Sequence, residues 1–292
     1  NAPRLGVCPD IINSIVPLTE DVCLFLCDHT IYAMIGDPAT EGRSTGLELV
    51  SDVTGGSFGR PWAKDPAGRL YFFGSRGEVY TMTGLSKPVS IADTTIARRL
   101  LSVDLDAYRV EMAWDTVEDC LRMWFVPNSG TGVTTHYRWC RKTGGWSSVN
   151  VPWSIGCVAQ FDGDLVGDRA LVFGCSDGYF RNFSLTAKSD DGTAIASRFL
   201  LGPLTPQDAR SKWRFKEFRA VLADDQDGIP VVNVYESGLP DSKGAVRLTT
   251  SLRPGRNLGK PLSACNAHVW VEGINETLGK RWSIESMSME VY

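Results

Sequence analysis

The sequence predicts an all-β protein, and two observations support this. Apolar and polar residues alternate along most of the 292-residue chain, with Gly, Pro, Asn and Asp between the apolar runs, whereas helical periodicity is nearly absent. A hairpin pattern also recurs, because residues 68–84 and 169–186 both contain an apolar strand ending in Phe-Gly, a Ser-x-Gly turn and a second strand with an aromatic residue. A weaker copy occupies residues 22–34. Repeated hairpins are typical of β-propeller blades, so we predict a propeller-like fold.

About four blade-like units are predicted before residue 186. The clearest spans residues 110–149, where four short strands alternate with three polar connections. The remaining predicted strands are 23–26 with 30–35, 70–73 with 79–82, and 157–161 followed by 170–175 and 179–184. One short helix is predicted over residues 91–101, with Asp93 or Thr94 as its N-cap.

The repeat ends near residue 190, which divides the chain into two predicted domains. Residues 1–190 form the blades, and residues 191–292 form a β-rich C-terminal domain that is either a β-sandwich or the closing blades. Long strands are predicted at 213–223, 231–236, 262–272 and 281–291, with exposed loops over 237–261. A bulge near Lys216 or Glu217 is predicted because it returns the apolar residues of the first long strand to one face.

Composition predicts a protein with a large core and no bulk affinity for nucleic acid. The chain is 43% hydrophobic and 22% charged, with a net charge of −4. No apolar run reaches the length of a transmembrane helix, so we expect no membrane insertion. The chain starts at Asn1 without an initiator Met or a signal peptide, so we expect it to begin inside a longer gene product or to follow processing.

The eight cysteines favour buried free thiols over a disulfide framework. They form no Cys-x-x-Cys pair and no zinc-binding spacing with histidine, so we expect no metal site of this kind. The predicted strands place Cys120 opposite Cys140, which leaves a cross-strand disulfide open as an alternative. The acidic stretch 224–228 resembles part of a calcium loop but lacks the distal Glu, so we expect neither metal nor cofactor.

No catalytic residues are predicted. The segment 174–178 matches the Gly-x-Ser-x-Gly spacing of a nucleophile elbow, but a strand follows it where an elbow requires a helix. The paired carboxylates of Asp104 and Asp106 are expected on one solvent-facing side of a strand. The sequence therefore favours a binding or structural protein over an enzyme.

Some aromatic and basic residues are the predicted interface. Trp62 and Trp153 follow prolines, and Trp213 lies between two basic residues, whereas the other strand tryptophans are expected in the core. The basic stretch 243–260 offers charges for a partner or a DNA backbone, with a solvated loop as the alternative. Its predicted contact residues are Arg247, Arg253 and Arg256.

The order of these blade patterns resembles a known family. The segments 70–80, 84–91, 110–115 and 137–146 show an apolar strand, a Gly turn, a Tyr-bearing strand, a Pro-containing step and a closing Gly-Trp, and 214–221 and 281–290 are compatible with the same pattern. In this order the chain resembles the β-propeller tail proteins of short-tailed bacteriophages, of the nozzle or head-closure DNA stabilisation type. It is short for that family, with few N-terminal blades.

The resemblance implies a structural virion protein. Such a protein forms a non-enzymatic ring, often sixfold, around the DNA exit channel of the tail, and it is assembled in the host cytoplasm. Its expected partners are its own copies, the portal-adaptor, tail fibre or tailspike proteins and, transiently, phage DNA; no cofactor is expected. A mildly acidic chain suits a channel that must release DNA, because phosphate affinity rises with each neutralised charge. The alternatives are a glycan- or protein-binding propeller module and, with less support, a propeller glycosidase.

Overall fold

The protein is all-β and divides into two compact units, Asn1–Ser184 and Leu185–Tyr292. The domain boundary predicted after residue 190 lies close to this division between residues 184 and 185, and it stays a prediction. The computed structural model describes residues 8–36, 46–92, 94–130, 134–149, 151–161, 163–164, 169–183, 187, 189–204, 213–222, 231–236, 246–251, 261–266, 269–275 and 284–291. Within these ranges there is one helix, and no helix has the length and apolar character needed to cross a bilayer.

The first sheet is an antiparallel meander of four strands taken in chain order. They are β1 (Ile12–Pro17), β2 (Val22–Cys27), β3 (Ile31–Ile35) and β4 (Gly46–Ser51). The sequence predicted the central hairpin of β2 and β3. It missed the outer strands, whose apolar residues are fewer and more exposed.

The second sheet repeats this meander. After the short β5 (Gly59–Arg60), its strands are β6 (Trp62–Lys64), β7 (Leu70–Phe73), β8 (Val79–Met82) and β9 (Val89–Ser90). The bounds predicted for β7 and β8 are confirmed. The turn between them contains Gly77 at φ 83°, a left-handed conformation that glycine adopts without steric cost.

The third sheet follows the helix α1 (Thr94–Leu101), which is shorter than predicted. Asp93, one of its two candidate N-caps, lies outside the described residues. The strands are β10 (Tyr108–Asp115), β11 (Cys120–Pro127), β12 (Thr135–Cys140) and β13 (Trp146–Val149), with β5 added in parallel beside β10. Asp104 and Asp106 lie before β10 in a turn region rather than a strand, and both are exposed.

The fourth sheet has three strands, β14 (Ile155–Phe161), β15 (Ala170–Cys175) and β16 (Phe180–Asn182). Ser176-Asp-Gly178 forms the turn between β15 and β16, with the amide of Gly178 donating to the carbonyl of Cys175 at 3.0 Å. A strand follows this turn, as the sequence predicted. The segment 174–178, which has the Gly-x-Ser-x-Gly spacing, is therefore part of a β-hairpin and not a nucleophile elbow.

Successive sheets of the first unit pack face to face through three apolar cores. Because side chains alternate along a strand, each central strand contributes to two cores. In β7, Leu70 and Phe72 pack toward the first sheet, whereas Tyr71 and Phe73 pack toward the third. In β11, Trp124 and Val126 pack toward the fourth sheet. Burial on both faces explains why these strands have nearly continuous apolar sequences.

The first strands of the second, third and fourth sheets lie beside one another, because β10 contacts both β6 and β14. β1 contacts β5, which lies beside β10 in the third sheet. Four meanders stacked face to face in this way are the arrangement of propeller blades. The prediction of four blade-like units is therefore confirmed.

The second unit differs from the blades in its strand order. It begins with a small hairpin of β17 (Ser189–Asp190) and β18 (Thr193–Ala194), and two larger sheets follow. Their strands are β19 (Ser197–Leu204), β20 (Trp213–Leu222), β21 (Val231–Glu236), β22 (Val246–Ser251), β23 (Pro261–Asn266), β24 (Val269–Asn275) and β25 (Ile284–Val291). The sheet orders are β19-β24-β21-β22 and β23-β20-β25, both antiparallel. Neither is a meander in chain order, so this unit does not continue the blade pattern.

Two predictions for this unit are corrected and one is confirmed. The strand predicted at 262–272 is two strands in different sheets, because β23 pairs with β20 whereas β24 pairs with β19 and β21. The predicted loop 237–261 contains β22, which pairs along β21. The predicted bulge is present, since the register of β20 shifts between Phe215 and Glu217.

Candidate functional site

His136 is the only fully buried histidine of the described residues, and its surroundings are apolar. Its ring stacks on Trp124, with centroids 4.5 Å apart, and faces Phe183 at 5.8 Å. Neither ring nitrogen has a hydrogen-bond partner. Burial, with added repulsion from Arg122 and Arg138, holds the pKa of His136 well below its ordinary value. A neutral histidine enclosed in this way packs between sheets and does not exchange protons with a substrate.

Asp115, Glu118 and Cys120 are the one group in the described part of the chain that brings three possible metal ligands together. Their ligand atoms lie within 4.8 Å of one another. Arginines already occupy the group. Arg122 pairs with Asp115 at 2.8 Å and also with Glu118, and Arg138 Nε lies 3.2 Å from Glu118 and donates to the Cys120 sulfur at 3.4 Å. Two guanidinium groups neutralise both carboxylates, so this is an ion-pair network that joins β10, β11 and β12.

A second network surrounds the buried Asp65. Its carboxylate accepts hydrogen bonds from the amides of Ala67 and Arg69 at 2.9 Å and from Arg69 Nε at 3.0 Å. Arg141 lies 3.5 Å from Asp65 and pairs with Asp119 at 2.8 Å, so it links the second and third sheets. Every carboxylate in both networks has a cationic partner, and none is left free to act as an acid or base.

Charged residues also connect the third and fourth sheets along their first strands. Arg109 Nη2 donates to the carbonyl of Gly156 at 2.7 Å, and Arg60 Nη1 donates to that of Val158 at 3.2 Å. Glu111 lies between them, with its Oε1 3.5 Å from Arg109 Nε. Burial raises the pKa of Glu111, and the two arginines oppose that shift. The arrangement fixes β10 to β14 and provides one carboxylate, whereas glycoside hydrolysis ordinarily uses two.

Among the described residues of the first unit, the outer faces of the first and fourth sheets are the sheet faces with no other sheet packed against them. On the first sheet, the face opposite the core has two cross-strand rows of apolar or aromatic side chains. The rows are Ile15–Phe25–Tyr32–Leu49 and Pro17–Cys23–Met34–Leu47. Ile15 and Leu49 are each 54% exposed. We call this surface the first end face.

The fourth sheet has a comparable outer face. Its cross-strand partners are Phe161 with Ala170, Ala159 with Val172, and Gly174 with both Cys157 and Phe180. Phe161 is 57% and Phe180 81% exposed. Exposed apolar side chains grouped on one sheet face mark an interaction surface more often than an ordinary solvent surface. We call it the second end face. The sequence shows that strands 22–27 and 170–175 are apolar at nearly every position, but it does not show which of their faces lacks a partner.

The predicted interface residues lie elsewhere. Trp62 is half-buried against the core between the first two sheets, with the Arg60 guanidinium 5.1 Å from its ring. Trp153 is half-buried against the core between the third and fourth sheets, beneath Arg181 at 5.1 Å.

The other four lie in the second unit. Trp213 begins β20 opposite Asn266, and Arg247 lies in β22 opposite Tyr235. Arg253 and Arg256 fall outside the described residues, as do His268 and the acidic stretch 224–228. The structure does not bring these six residues together as one described surface, and an interface role for them stays a prediction.

Comparison with known proteins gives distant likenesses only. No protein-family profile matches the chain, and no curated protein sequence matches it. Among solved structures, the extracellular domain of a one-component system from B. thetaiotaomicron is 12% identical with a TM-score of 0.38, covering 87% of this chain and 37% of that one. An exo-β-1,3-galactanase from Phanerochaete chrysosporium is 6% identical with a TM-score of 0.31, covering 92% and 78%.

A third solved structure is an arabinoxylan arabinofuranohydrolase of glycoside hydrolase family 43 from Bacillus subtilis. It is 10% identical with a TM-score of 0.29, covering 94% of this chain and 78% of that one. At these identities and TM-scores the likenesses carry no argument about what this chain does. None of the three is a bacteriophage tail protein.

Proposed function

We propose that the chain is a structural component of a bacteriophage tail, a nozzle or hub ring around the DNA exit channel. The observation that carries this proposal is the pair of end faces. They are different surfaces on the two outer sheets of one stack, and each exposes apolar side chains of the kind that pack between the sheets. Contact between two different surfaces of identical subunits is heterologous, and it closes into a ring where the rotation allows.

The charged residues support a structural role over a catalytic one. The carboxylates buried between the sheets are paired with arginines that tie neighbouring strands and sheets together. Such pairing makes the scaffold rigid and leaves none of these described carboxylates free to serve as an acid or base. The net charge of −4 also suits a wall that DNA passes without tight binding. The portal-adaptor and the tail fibre or tailspike proteins are the proposed neighbours.

Sedimentation of the purified chain tests the proposal. The wild type should form an oligomer that becomes monomeric when either end face gains a charge, as in Ile15→Glu or Phe180→Glu. The matched control is Val89→Glu, which adds the same charge at an exposed apolar residue in β9 of the second sheet, outside both end faces. A wild type that stays monomeric at tens of micromolar would contradict ring formation.

A glycan-binding propeller module is the second candidate, favoured by one observation. Tyr179 and Phe180 are exposed side by side at the start of β16, and Arg181 lies over the rings of both Trp153 and Tyr179. Aromatic rings with nearby polar groups are a common setting for ligands. Binding of soluble oligosaccharides by the monomer, lost in Tyr179→Ala, would favour this candidate over the tail ring.

A further inference from the structure

Two cysteines that are distant in sequence hold their sulfur atoms in contact. Cys8 Sγ lies 3.4 Å from Cys27 Sγ, and both thiols are free. Cys27 is the last residue of β2 and is fully buried, whereas Cys8 precedes β1 and is partly exposed. From the sequence we predicted buried free thiols, with a disulfide between Cys120 and Cys140 as the one alternative. The pair of Cys8 and Cys27 was not predicted, because nothing in the spacing of residues 8 and 27 suggests it.

Asp10 holds the segment that carries Cys8 against the turn after β2. Its Oδ2 accepts hydrogen bonds from the amides of His29 and Thr30 at 2.8 and 3.1 Å, and from the Thr30 hydroxyl at 2.8 Å. The amide of Asp28 also donates to the carbonyl of Ile11 at 2.9 Å. Residues on both sides of the sulfur contact are therefore fixed to each other by bonds that do not involve sulfur.

The backbone of Cys27 is fixed as well. Its amide donates to the carbonyl of Thr30 at 2.9 Å, and its carbonyl accepts from the amide of Gly56 at 2.8 Å. The contact between the sulfurs thus results from the fold of the first sheet. Forming a disulfide requires the sulfur atoms to approach to about 2.0 Å, which is a small side-chain movement from their present separation.

We propose that Cys8 and Cys27 are a reversible redox pair that forms a disulfide by exchange with a low-molecular-weight disulfide such as oxidised glutathione. Cys8, the exposed partner, attacks the small disulfide as a thiolate and releases one thiol, which leaves a mixed disulfide on Cys8. The Cys27 sulfur then attacks the Cys8 sulfur, loses its proton to solvent and displaces the second thiol. Two protein thiols are oxidised and one small disulfide is reduced to two thiols.

The environment of Cys27 sets the order and the pace of these steps. Burial, with a smaller contribution from the hydrogen bond to Cys8, raises the pKa of Cys27 to about 12. Cys27 is therefore a poor first nucleophile at neutral pH, and it acts only after the mixed disulfide is next to it. Ring closure should accelerate as pH rises, because the thiolate is the attacking species.

The consequence is a clamp on the first sheet. The disulfide would tie the segment before β1 to the end of β2, next to the edge strand of the sheet that carries the first end face. The disulfide would close a loop between two residues that are 19 positions apart in sequence. Closing such a loop raises thermal stability, with an expected increase in Tm of roughly 5 °C. This inference is independent of the tail-ring proposal, since it concerns a thiol pair within one chain.

Peptide mapping of the full chain after incubation with oxidised glutathione tests the pair. Cleavage after Glu20 and after Phe25 separates Cys8, Cys23 and Cys27 into different peptides. We expect a linked peptide that contains Cys8 and Cys27 and weighs two hydrogen atoms less than its two parts together, the increase in Tm, and reversal by reductant. The exposed Cys157 should carry a glutathione adduct, which shows that the oxidant reached the protein.

A matched variant separates the pair from other thiol chemistry. In Cys8→Ser the linked peptide and the increase in Tm should both disappear, while the Cys157 adduct remains. The proposal is overturned if Cys157 is modified while Cys8 and Cys27 stay unlinked, or if either thiol is linked to a different cysteine. These outcomes are read from the wild-type map and do not depend on the folding of the variant.

Discussion

At the scale of single residues, the packing between the third and fourth sheets depends on the protonation state of His136. The imidazole is neutral when enclosed by Trp124 and Phe183, and protonation would place a charge in an apolar space that already faces two arginines. In the unfolded chain the same ring binds a proton near pH 6.5. Folding therefore releases a proton at mildly acidic pH.

This residue should make stability depend on pH with a defined sign. The pKa of His136 is lower in the folded state, so its contribution is complete above pH 6.5 and is lost as pH falls below 6.5 toward the folded-state value. The expected loss is about 1.4 kcal/mol of unfolding free energy per pH unit. Urea unfolding of wild type and His136→Phe should show this slope only in the wild type. Equal slopes between pH 6.5 and 5 would refute the assignment.

Gly55 shows why some glycines tolerate no side chain. A Cβ at this position would lie 1.8 Å from the carbonyl oxygen of Cys27, a backbone atom that cannot move without displacing β2. Gly46 is the matched control, because a Cβ there meets nothing within 4 Å and its φ lies outside the left-handed region. We expect Gly55→Ala to lower the unfolding free energy by more than about 3 kcal/mol and Gly46→Ala to change it by less than about 0.5 kcal/mol. Equal, small effects of the two substitutions in urea unfolding would mean that Gly55 does not lie against the backbone of Cys27.

At the scale of elements, charged side chains hold the strands of the third sheet together. The side chain of Asp115 is 7% exposed and depends on Arg122, which lies at 2.8 Å and also pairs with Glu118. The carboxylate of Asp115 additionally accepts from the amides of Val117 and Glu118, so it organises the β10–β11 turn. Removing the guanidinium would leave a buried negative charge without its cation.

Arg122→Met should therefore be strongly destabilising. Breaking one partner of a buried ion pair costs about 3–5 kcal/mol, mainly because the remaining charge stays desolvated. Arg98→Met, at an exposed position of α1, removes the same charge and should cost less than about 1 kcal/mol. Thermal and urea unfolding of the two variants provides the measurement, and similar losses in both would show that the network contributes little.

The sequence predicted the elements best where both faces of a strand are buried. β7 and β8 are apolar at nearly every position and are joined by a Gly turn, and their bounds followed from pattern alone. The outer strands β1 and β4 were missed because one face of each is exposed and their apolar residues are sparse. The division of 262–272 into β23 and β24 could not be predicted, since the strands alternate alike but pair in different sheets.

The candidate surfaces were predictable only in part, and for a related reason. The tryptophans were predicted as contact residues from their positions after prolines or between basic residues, and the arginines from the basic stretch 243–260. The structure instead exposes aliphatic and phenylalanine side chains, such as Ile15 and Phe180, on the outer sheets. Which apolar face lacks a partner is a property of the stack, and no local pattern reveals it.

At the scale of the whole molecule, the proposed association uses two different end faces, and this has a distinctive consequence in mixtures. Ile15→Glu keeps the second end face intact, and Phe180→Glu keeps the first. Each variant alone should be monomeric. An equimolar mixture should form dimers and nothing larger, because only one productive contact can be made. If one variant alone retains full association, the contact is between identical faces and the ring is excluded.

The central claim is that copies of this chain close into a ring. Electron microscopy of the purified protein, with class averages viewed down the particle axis, tests it most directly. We expect closed rings of one rotational symmetry, sixfold as in the proteins that the sequence resembles, each with an open central channel. Particles of single-chain size, twofold dimers or open filaments would contradict it.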